Sequence, residues 1–173
     1  MYMLKSSSLV LVCCICVSLS SLLAPAEGAQ CTVHPDHKCQ ATCNGTTFDI
    51  SKLFDYPITV KGKYGDYLVD LCNGVMCPDA LNTTGVAICQ MESQSYNCGL
   101  IKEPIWLFNY NFQNTQFTVQ YPWGIDWRIS EIIFTEDKSV EKTTIEFVNE
   151  KPNLQYNFLV RGKCIGQPYD DCK

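Results

Sequence analysis

The sequence predicts an all-β domain, a flattened antiparallel β-barrel or sandwich stabilised by disulfides. Two patterns lead to this prediction. From Phe48 onward, short segments alternate apolar and polar residues and are rich in β-branched and aromatic side chains. Clusters of Gly, Asn and Pro separate these segments, and only a single turn near residues 50–54 resembles a helical repeat.

Six segments show the strand pattern most clearly. In one of them Glu131 faces away from Ile132, as alternation across a half-buried strand requires. By contrast, residues 30–47 are polar and cysteine-dense without periodicity, which predicts a tethered loop. No internal repeat or linker interrupts the chain, so we expect one domain. The predicted strands are residues 67–71, 86–88, 117–121, 128–134, 143–148 and 156–160.

The N-terminus is typical of a cleaved signal peptide. Lys5 precedes an apolar run over residues 9–23, which ends at a small-residue site with cleavage after Ala26 or Ala29. The run is shorter than the roughly 20 apolar residues that a spanning helix needs. We therefore predict a signal peptide over residues 1–29 and a single domain over residues 30–173. The mature protein is expected to lack a transmembrane anchor and to be secreted or to lie in the lumen of the secretory or endolysosomal pathway.

The cysteine count supports the same compartment. Twelve cysteines are present, and Cys13, Cys14 and Cys16 fall within the predicted signal peptide. A disulfide framework is the expected use of the remaining nine, although the sequence does not give their connectivity. Because nine is odd, at least one thiol is free or bonded to another chain, which leaves a disulfide-linked dimer open. The nine candidates are Cys31, Cys39, Cys43, Cys72, Cys77, Cys89, Cys98, Cys164 and Cys172.

The charge of the chain limits the classes of partner, and two sequons indicate glycosylation. The chain has 13 basic and 18 acidic residues, a net charge of −5, and no basic run, which argues against nucleic acid and anionic membranes. Asn44 and Asn82 each begin an Asn-x-Thr sequon and are predicted N-glycosylation sites on the surface.

Neither a metal nor a cofactor is expected. His34, His37, Cys39 and Cys43 have the side-chain types of zinc ligands, but in a secreted chain these cysteines are expected to form disulfides. No nucleophile motif of the Gly-x-Ser-x-Gly kind is present, and no catalytic residues are assigned. A pair of carboxylates among Glu131, Glu146 and Glu150 leaves a small secreted hydrolase as one alternative.

Four polar residues in strand contexts are the candidate binding residues. They occur in the order Gln90, Arg128, Glu150 and Tyr156, with the last two six residues apart. Five short segments around them also occur in a characteristic order along the chain. They are residues 48–53, 67–74, 87–90, 119–124 and 156–164. Together they resemble the mannose 6-phosphate receptor homology domain, and the resemblance covers residues 48–164.

The resemblance implies a flattened β-barrel lectin that holds one terminal mannose, often phosphorylated, on an N-glycan. Gln90 and Arg128 would contact the axial 2-hydroxyl, while Glu150 and Tyr156 would bind the 3- and 4-hydroxyls. The chemistry fits independently, because a sugar hydroxyl both donates and accepts hydrogen bonds. An arginine supplies a rigid set of donors, an amide supplies both functions, and a carboxylate supplies a charged acceptor. Trp106, Trp123 and Trp127 are further candidates for stacking on sugar faces.

The chain departs from the family in its cysteines. Leu154 stands where the family usually has a cysteine two residues before the tyrosine, and residues 125–127 lack the cysteine that usually precedes the arginine. These two often pair, so one whole bridge is missing. Glu136 replaces a third family cysteine, which leaves Cys164 with Cys172 as its nearest partner.

The sequence thus predicts a protein that acts by recognition, without catalysis, with mannose-bearing N-glycans on glycoproteins as its partners. An alternative is a protein-interaction or sorting factor with this fold that does not bind sugar.

Overall fold

The structure, a computed structural model, describes residues 29–78, 81–109 and 116–165, and they form an all-β fold as the sequence predicts. The only helical element in these ranges is a three-residue 3-10 turn, Ile125–Trp127. The strands are β1 Ala29–Gln30, β2 Thr32–His34, β3 His37–Cys43, β4 Thr46–Asp49, β5 Ile58–Gly62, β6 Gly65–Val69, β7 Val75–Cys77, β8 Thr83–Val86, β9 Ile88–Met91, β10 Ser95–Asn97, β11 Ile105–Asn109, β12 Gln116–Tyr121, β13 Ile129–Glu136, β14 Thr144–Glu150 and β15 Gln155–Gly162.

Two sheets share one hydrophobic core. The larger has six strands in the order β1-β11-β12-β13-β15-β14, and the other has four in the order β10-β9-β6-β5. Inward-facing residues of both sheets, such as Phe158 from β15 and Tyr67 from β6, belong to the same buried cluster. Strands β14 and β5, at the edges of their sheets, lie beside each other without pairing.

One pair departs from the predicted antiparallel arrangement. Strand β15 is parallel to β13 over eight residues, from Ile129 opposite Gln155 to Glu136 opposite Gly162. The intervening strand β14 takes the outer edge and pairs antiparallel with β15. Strand β15 alternates buried and half-buried residues along its whole length, and its inner position between β13 and β14 gives it a neighbour on both sides, which an edge position would not.

An aromatic stack fills the middle of the core. The Phe117 ring lies parallel to Trp106 and Phe134, with centroids 5.3 and 4.6 Å away. Phe48 from the N-terminal segment packs onto Phe117 at 5.1 Å. Each ring is nearly fully buried. The Phe48–Phe117 contact therefore packs the N-terminal segment against the larger sheet.

The prediction of a loop over residues 30–47 was wrong. Strands β2, β3 and β4 form a three-stranded antiparallel sheet there. Strand β3 alternates strictly, but the residues it buries are Cys39, Ala41 and Cys43 rather than large aliphatic ones. Hydrophobic periodicity therefore does not appear in the sequence, because disulfides and a small residue replace the usual apolar side chains.

Three disulfides join described cysteines: Cys31–Cys43, Cys39–Cys72 and Cys77–Cys89. The second of these fastens the three-stranded sheet to the segment after β6. Cys164 is also disulfide-bonded. Its predicted partner, Cys172, lies outside the described residues, so that pairing stays a prediction. The odd thiol is Cys98, a disulfide candidate that is instead free. It is fully buried, so this thiol is not placed to link two chains.

The predicted signal peptide lies outside the described residues except for Ala29, which pairs with Phe108 through β1. Across the described ranges, no helix has the length and apolarity that a membrane crossing requires. Asn44, in the turn between β3 and β4, and Asn82, directly before β8, are both exposed, which their glycosylation requires. The modification itself stays a prediction.

Candidate functional site

Arg128 and Tyr156 are in direct contact. Arg128 immediately precedes β13, and the parallel register places Ser130 opposite Tyr156 of β15. The Arg128 Nε donates to the Tyr156 hydroxyl at 3.0 Å, and its Nη1 reaches the Asp126 carboxylate at 3.4 Å. The guanidinium also lies over the Tyr96 ring, 4.4 Å from its centroid. These contacts fix the arginine with only 12% of its side chain exposed.

Glu150 lies on the same face as Tyr156. It ends β14 directly opposite Tyr156 in the antiparallel pair, and side chains of such partners extend from the same side of a sheet. Its Oε1 accepts a hydrogen bond from the Leu154 backbone N–H at 3.1 Å. The Leu154 carbonyl accepts from the Ile129 N–H at 3.0 Å. Backbone bonds thus tie this turn to the arginine segment, where the family resemblance implies a disulfide.

Gln90 joins the group from the other sheet. In β9 it pairs with Tyr67 of β6 on one side and Tyr96 of β10 on the other. Tyr67 packs edge-on against Tyr156 at 5.9 Å, whereas Tyr96 lies beneath Arg128. The Gln90 amide donates to the Glu92 carboxylate at 2.9 Å. The structure therefore brings Gln90, Arg128, Glu150 and Tyr156 together, with Gln90 and Tyr156 nearly fully buried.

Sequence reasoning missed two residues at the centre of this group, Tyr67 and Cys98. The Cys98 thiol donates a hydrogen bond to the Tyr96 carbonyl oxygen at 3.4 Å, and it interacts electrostatically with Tyr156. The Tyr67 hydroxyl is buried and, among the described residues, has no hydrogen-bond partner. Such a group costs free energy unless something satisfies it. The only sequence signal was alternation in residues 67–71, which gives the same pattern for a core tyrosine.

Burial changes the ionisation of these groups. It raises the pKa of the Cys98 thiol to about 12, despite the opposing effect of Arg128. Burial also raises the pKa of Tyr156 and Tyr67 above the ordinary value of 10.0, and the neighbouring Cys98 adds to both shifts. The Cys98 thiol and the Tyr67 and Tyr156 hydroxyls are therefore protonated at neutral pH.

These shifts predict that stability falls at alkaline pH. The unfolded chain ionises its thiol near pH 9.0 and its tyrosines near pH 10.0, whereas the folded chain holds these protons to higher pH. The stabilisation is complete below pH 9 and is lost as the pH rises toward 12. We expect the urea midpoint to decrease from pH 9 to pH 11, and to decrease less in Cys98→Ser. A midpoint that stays constant or rises over this interval would contradict the assignment.

A groove adjoins the group at Glu150. Its volume is about 580 Å³, and it lies between the β5–β6 turn and the end of β14. Lys61, Lys63 and Lys151 line it together with the half-exposed Tyr64 ring. Lys61 is paired with Asp66 at 2.6 Å, and the Lys63 Nζ lies 4.8 Å from the Tyr64 ring centroid. The groove is therefore lined by three cations and one carboxylate, Glu150.

The three tryptophans occupy different environments. Trp106 belongs to the core stack and is fully buried, so the expectation that it could stack on a sugar was wrong. Trp123 and Trp127 are 53% and 82% exposed in the segment that leads into Arg128. These two stay available to a ligand.

The cysteines considered as zinc ligands and two of the candidate catalytic carboxylates are bound to other groups. Cys39 and Cys43 are in disulfides, and no cluster of three metal-ligating side chains occurs among the residues that the structure describes. Of the carboxylates, Glu131 accepts from the Gln155 amide at 2.6 Å, and Glu146 forms an ion pair with Arg161 at 3.1 Å.

No protein-family model and no curated protein matches this chain. Among solved structures, the chain is similar to domain 11 of chicken IGF2R, with 16% sequence identity and a TM-score of 0.54. The match covers 79% of this chain and 95% of that chain. At this identity the likeness shows the fold alone, which is all-β and like that of a mannose 6-phosphate receptor homology domain.

Proposed function

We propose that the chain is a carbohydrate-binding protein that recognises terminal mannose on N-glycans through Gln90, Arg128, Glu150 and Tyr156. The observation that carries the proposal is their convergence from three separate strands and one loop. These residues lie up to 66 positions apart in the sequence, yet strand register and the Arg128–Tyr156 hydrogen bond bring them to one place. The fold, like that of a mannose 6-phosphate receptor homology domain, is compatible with this proposal.

The chemistry of the group suits a polyhydroxylated ligand. Arg128 offers charged donors held in one orientation, and Glu150 offers a charged acceptor on the same side of the sheet. Glu92 and Asp126 accept hydrogen bonds from Gln90 and Arg128 and so satisfy donors that a sugar would use. Such a site would discriminate between sugars, because an epimer with a hydroxyl in the wrong position would leave buried polar groups of the protein unpaired.

Phosphate on the sugar is also consistent with the surroundings. The groove beside Glu150 carries Lys61, Lys63 and Lys151, and cations there favour an anionic substituent over a neutral one. Mannose 6-phosphate is therefore a candidate ligand of the same site. A disulfide-rich protein that meets N-glycans would act in the secretory pathway or outside the cell.

The test is a binding series with the oxidised protein and the methyl α-glycosides of mannose, glucose and galactose, together with mannose 6-phosphate. We expect binding of mannose and at least tenfold weaker binding of glucose, which differs only at the 2-hydroxyl. Equal binding of mannose and glucose would overturn the assignment of Gln90 and Arg128 to that hydroxyl. Absence of binding to every sugar by the folded protein would favour a protein-interaction role for the same fold.

A further inference from the structure

Two indole rings project into solvent beside the candidate site. Trp127 is 82% exposed and directly precedes Arg128, and Trp123 is 53% exposed four residues earlier. Large aromatic side chains usually contribute to folding by burial, as Trp106 does here. At 82% exposure, Trp127 makes little such contribution to the described fold.

The backbone of this segment is held in an unfavourable conformation. Trp123, Asp126 and Trp127 all have positive φ angles, of 68°, 54° and 64°. Such angles cost about 1–3 kcal/mol each for residues with a side chain, and they cluster at functional sites. This backbone conformation therefore costs the fold free energy, and its presence calls for a reason other than stability.

Close packing fixes the segment in this shape. The Gly124 N–H donates to the Arg128 carbonyl at 2.9 Å, and the Arg128 N–H donates to the Ile125 carbonyl at 3.1 Å. A side chain on Gly124 would approach the Arg128 Cβ to 2.7 Å and the Asn97 carbonyl oxygen to 2.8 Å. The indole of Trp127 is thus presented from a closed loop, one residue before the arginine of the site.

The surroundings favour a carbohydrate over an apolar partner. In the chain, Trp127 stands between Asp126, whose side chain is 71% exposed, and the cationic Arg128. An exposed aromatic ring in a segment that also carries charged hydrogen-bonding groups suits a sugar ring, which has apolar C–H faces and polar edges. An apolar protein surface would leave the Asp126 carboxylate desolvated and without a new partner.

We propose that Trp127 forms a second subsite, on which the penultimate sugar of a glycan stacks while the terminal mannose occupies the quartet of Gln90, Arg128, Glu150 and Tyr156. This inference rests on the proposed function and extends it. The ligand is then an oligosaccharide rather than a monosaccharide, and the loop geometry is retained because it holds the two subsites in register.

The experiment compares methyl α-mannoside with a linear α-linked mannotriose on the wild-type protein, Trp127→Ala and Trp127→Phe. Alanine has a similar preference against positive φ, so Trp127→Ala removes the ring without relaxing the backbone. We expect the wild type to bind mannotriose about 3- to 10-fold more tightly than the monosaccharide, the size of one aromatic stacking contact. In Trp127→Ala this preference disappears while the monosaccharide affinity is unchanged, and Trp127→Phe retains most of it.

Met76→Ala is the matched control, because Met76 is 63% exposed in the separate two-stranded sheet of β7 and β8. It should leave both affinities unchanged. If wild type binds the monosaccharide but does not prefer mannotriose, or if Trp127→Ala keeps the preference, the second subsite is refuted and the proposed function stands. If the wild type binds neither sugar, the proposed function itself fails and the subsite with it.

Discussion

Replacing Arg128 with alanine is expected to weaken mannose binding by about 10- to 100-fold while the domain stays folded. Hydrogen bonds to charged groups contribute about 1.5–3 kcal/mol, and each 1.4 kcal/mol is a tenfold change in affinity. The substitution also removes the hydrogen bond that the Arg128 Nε donates to the Tyr156 hydroxyl at 3.0 Å. Isothermal titration with methyl α-mannoside measures the effect, and circular dichroism reports whether the fold is intact.

Arg161→Ala is the control for this substitution. Arg161 lies on β15 in the same sheet as Tyr156, but its side chain is 43% exposed and pairs with Glu146 at 3.1 Å. Removing it deletes a surface ion pair of small energetic value and leaves the quartet untouched. Equal losses of affinity in the two variants, or no loss in Arg128→Ala, would contradict a direct role for Arg128.

Phe117→Ala is expected to give the largest loss of stability, about 3–5 kcal/mol in the free energy of unfolding. Phe117 is 2% exposed and lies between the Trp106 and Phe134 rings, with Phe48 packed beside it. Truncation removes apolar burial and leaves a cavity that three large rings cannot readily fill. Urea denaturation followed by tryptophan fluorescence measures the change.

Met76→Ala again serves as the comparison, since Met76 is largely exposed and its loss should change stability by less than about 0.5 kcal/mol. A Phe117→Ala variant as stable as Met76→Ala would mean that the aromatic stack is not the centre of the core.

Alternation of residue types predicted the strands that build the larger sheet. Residues 117–121 and 156–160 lie within β12 and β15, because aromatic and β-branched side chains there alternate into a shared core. The sequence did not reveal β3, whose buried positions are Cys39, Ala41 and Cys43. It also did not reveal the parallel pairing of β13 and β15, since strand order depends on long-range packing that no local pattern encodes.

The candidate site was predictable only in part. Its four polar residues follow from their order and flanking segments, and the structure brings them together. Tyr67 and Cys98 were not found, because a tyrosine in an alternating strand and one cysteine among nine carry no distinctive local signal. The close links of Tyr67 to Gln90 and Tyr156 depend on pairing between β6 and β9 and on contact between the two sheets.

The most direct test is a crystal structure of the oxidised protein with methyl α-mannoside. We expect the sugar to lie against Gln90, Arg128, Glu150 and Tyr156, with its 2-hydroxyl within hydrogen-bond distance of Gln90 and Arg128. Glu92 and Asp126 would then have released their present partners. A sugar bound only in the groove of Lys61 and Lys63 would contradict the proposed site. So would Gln90 and Arg128 side chains that keep their hydrogen bonds to Glu92 and Asp126 at saturating sugar.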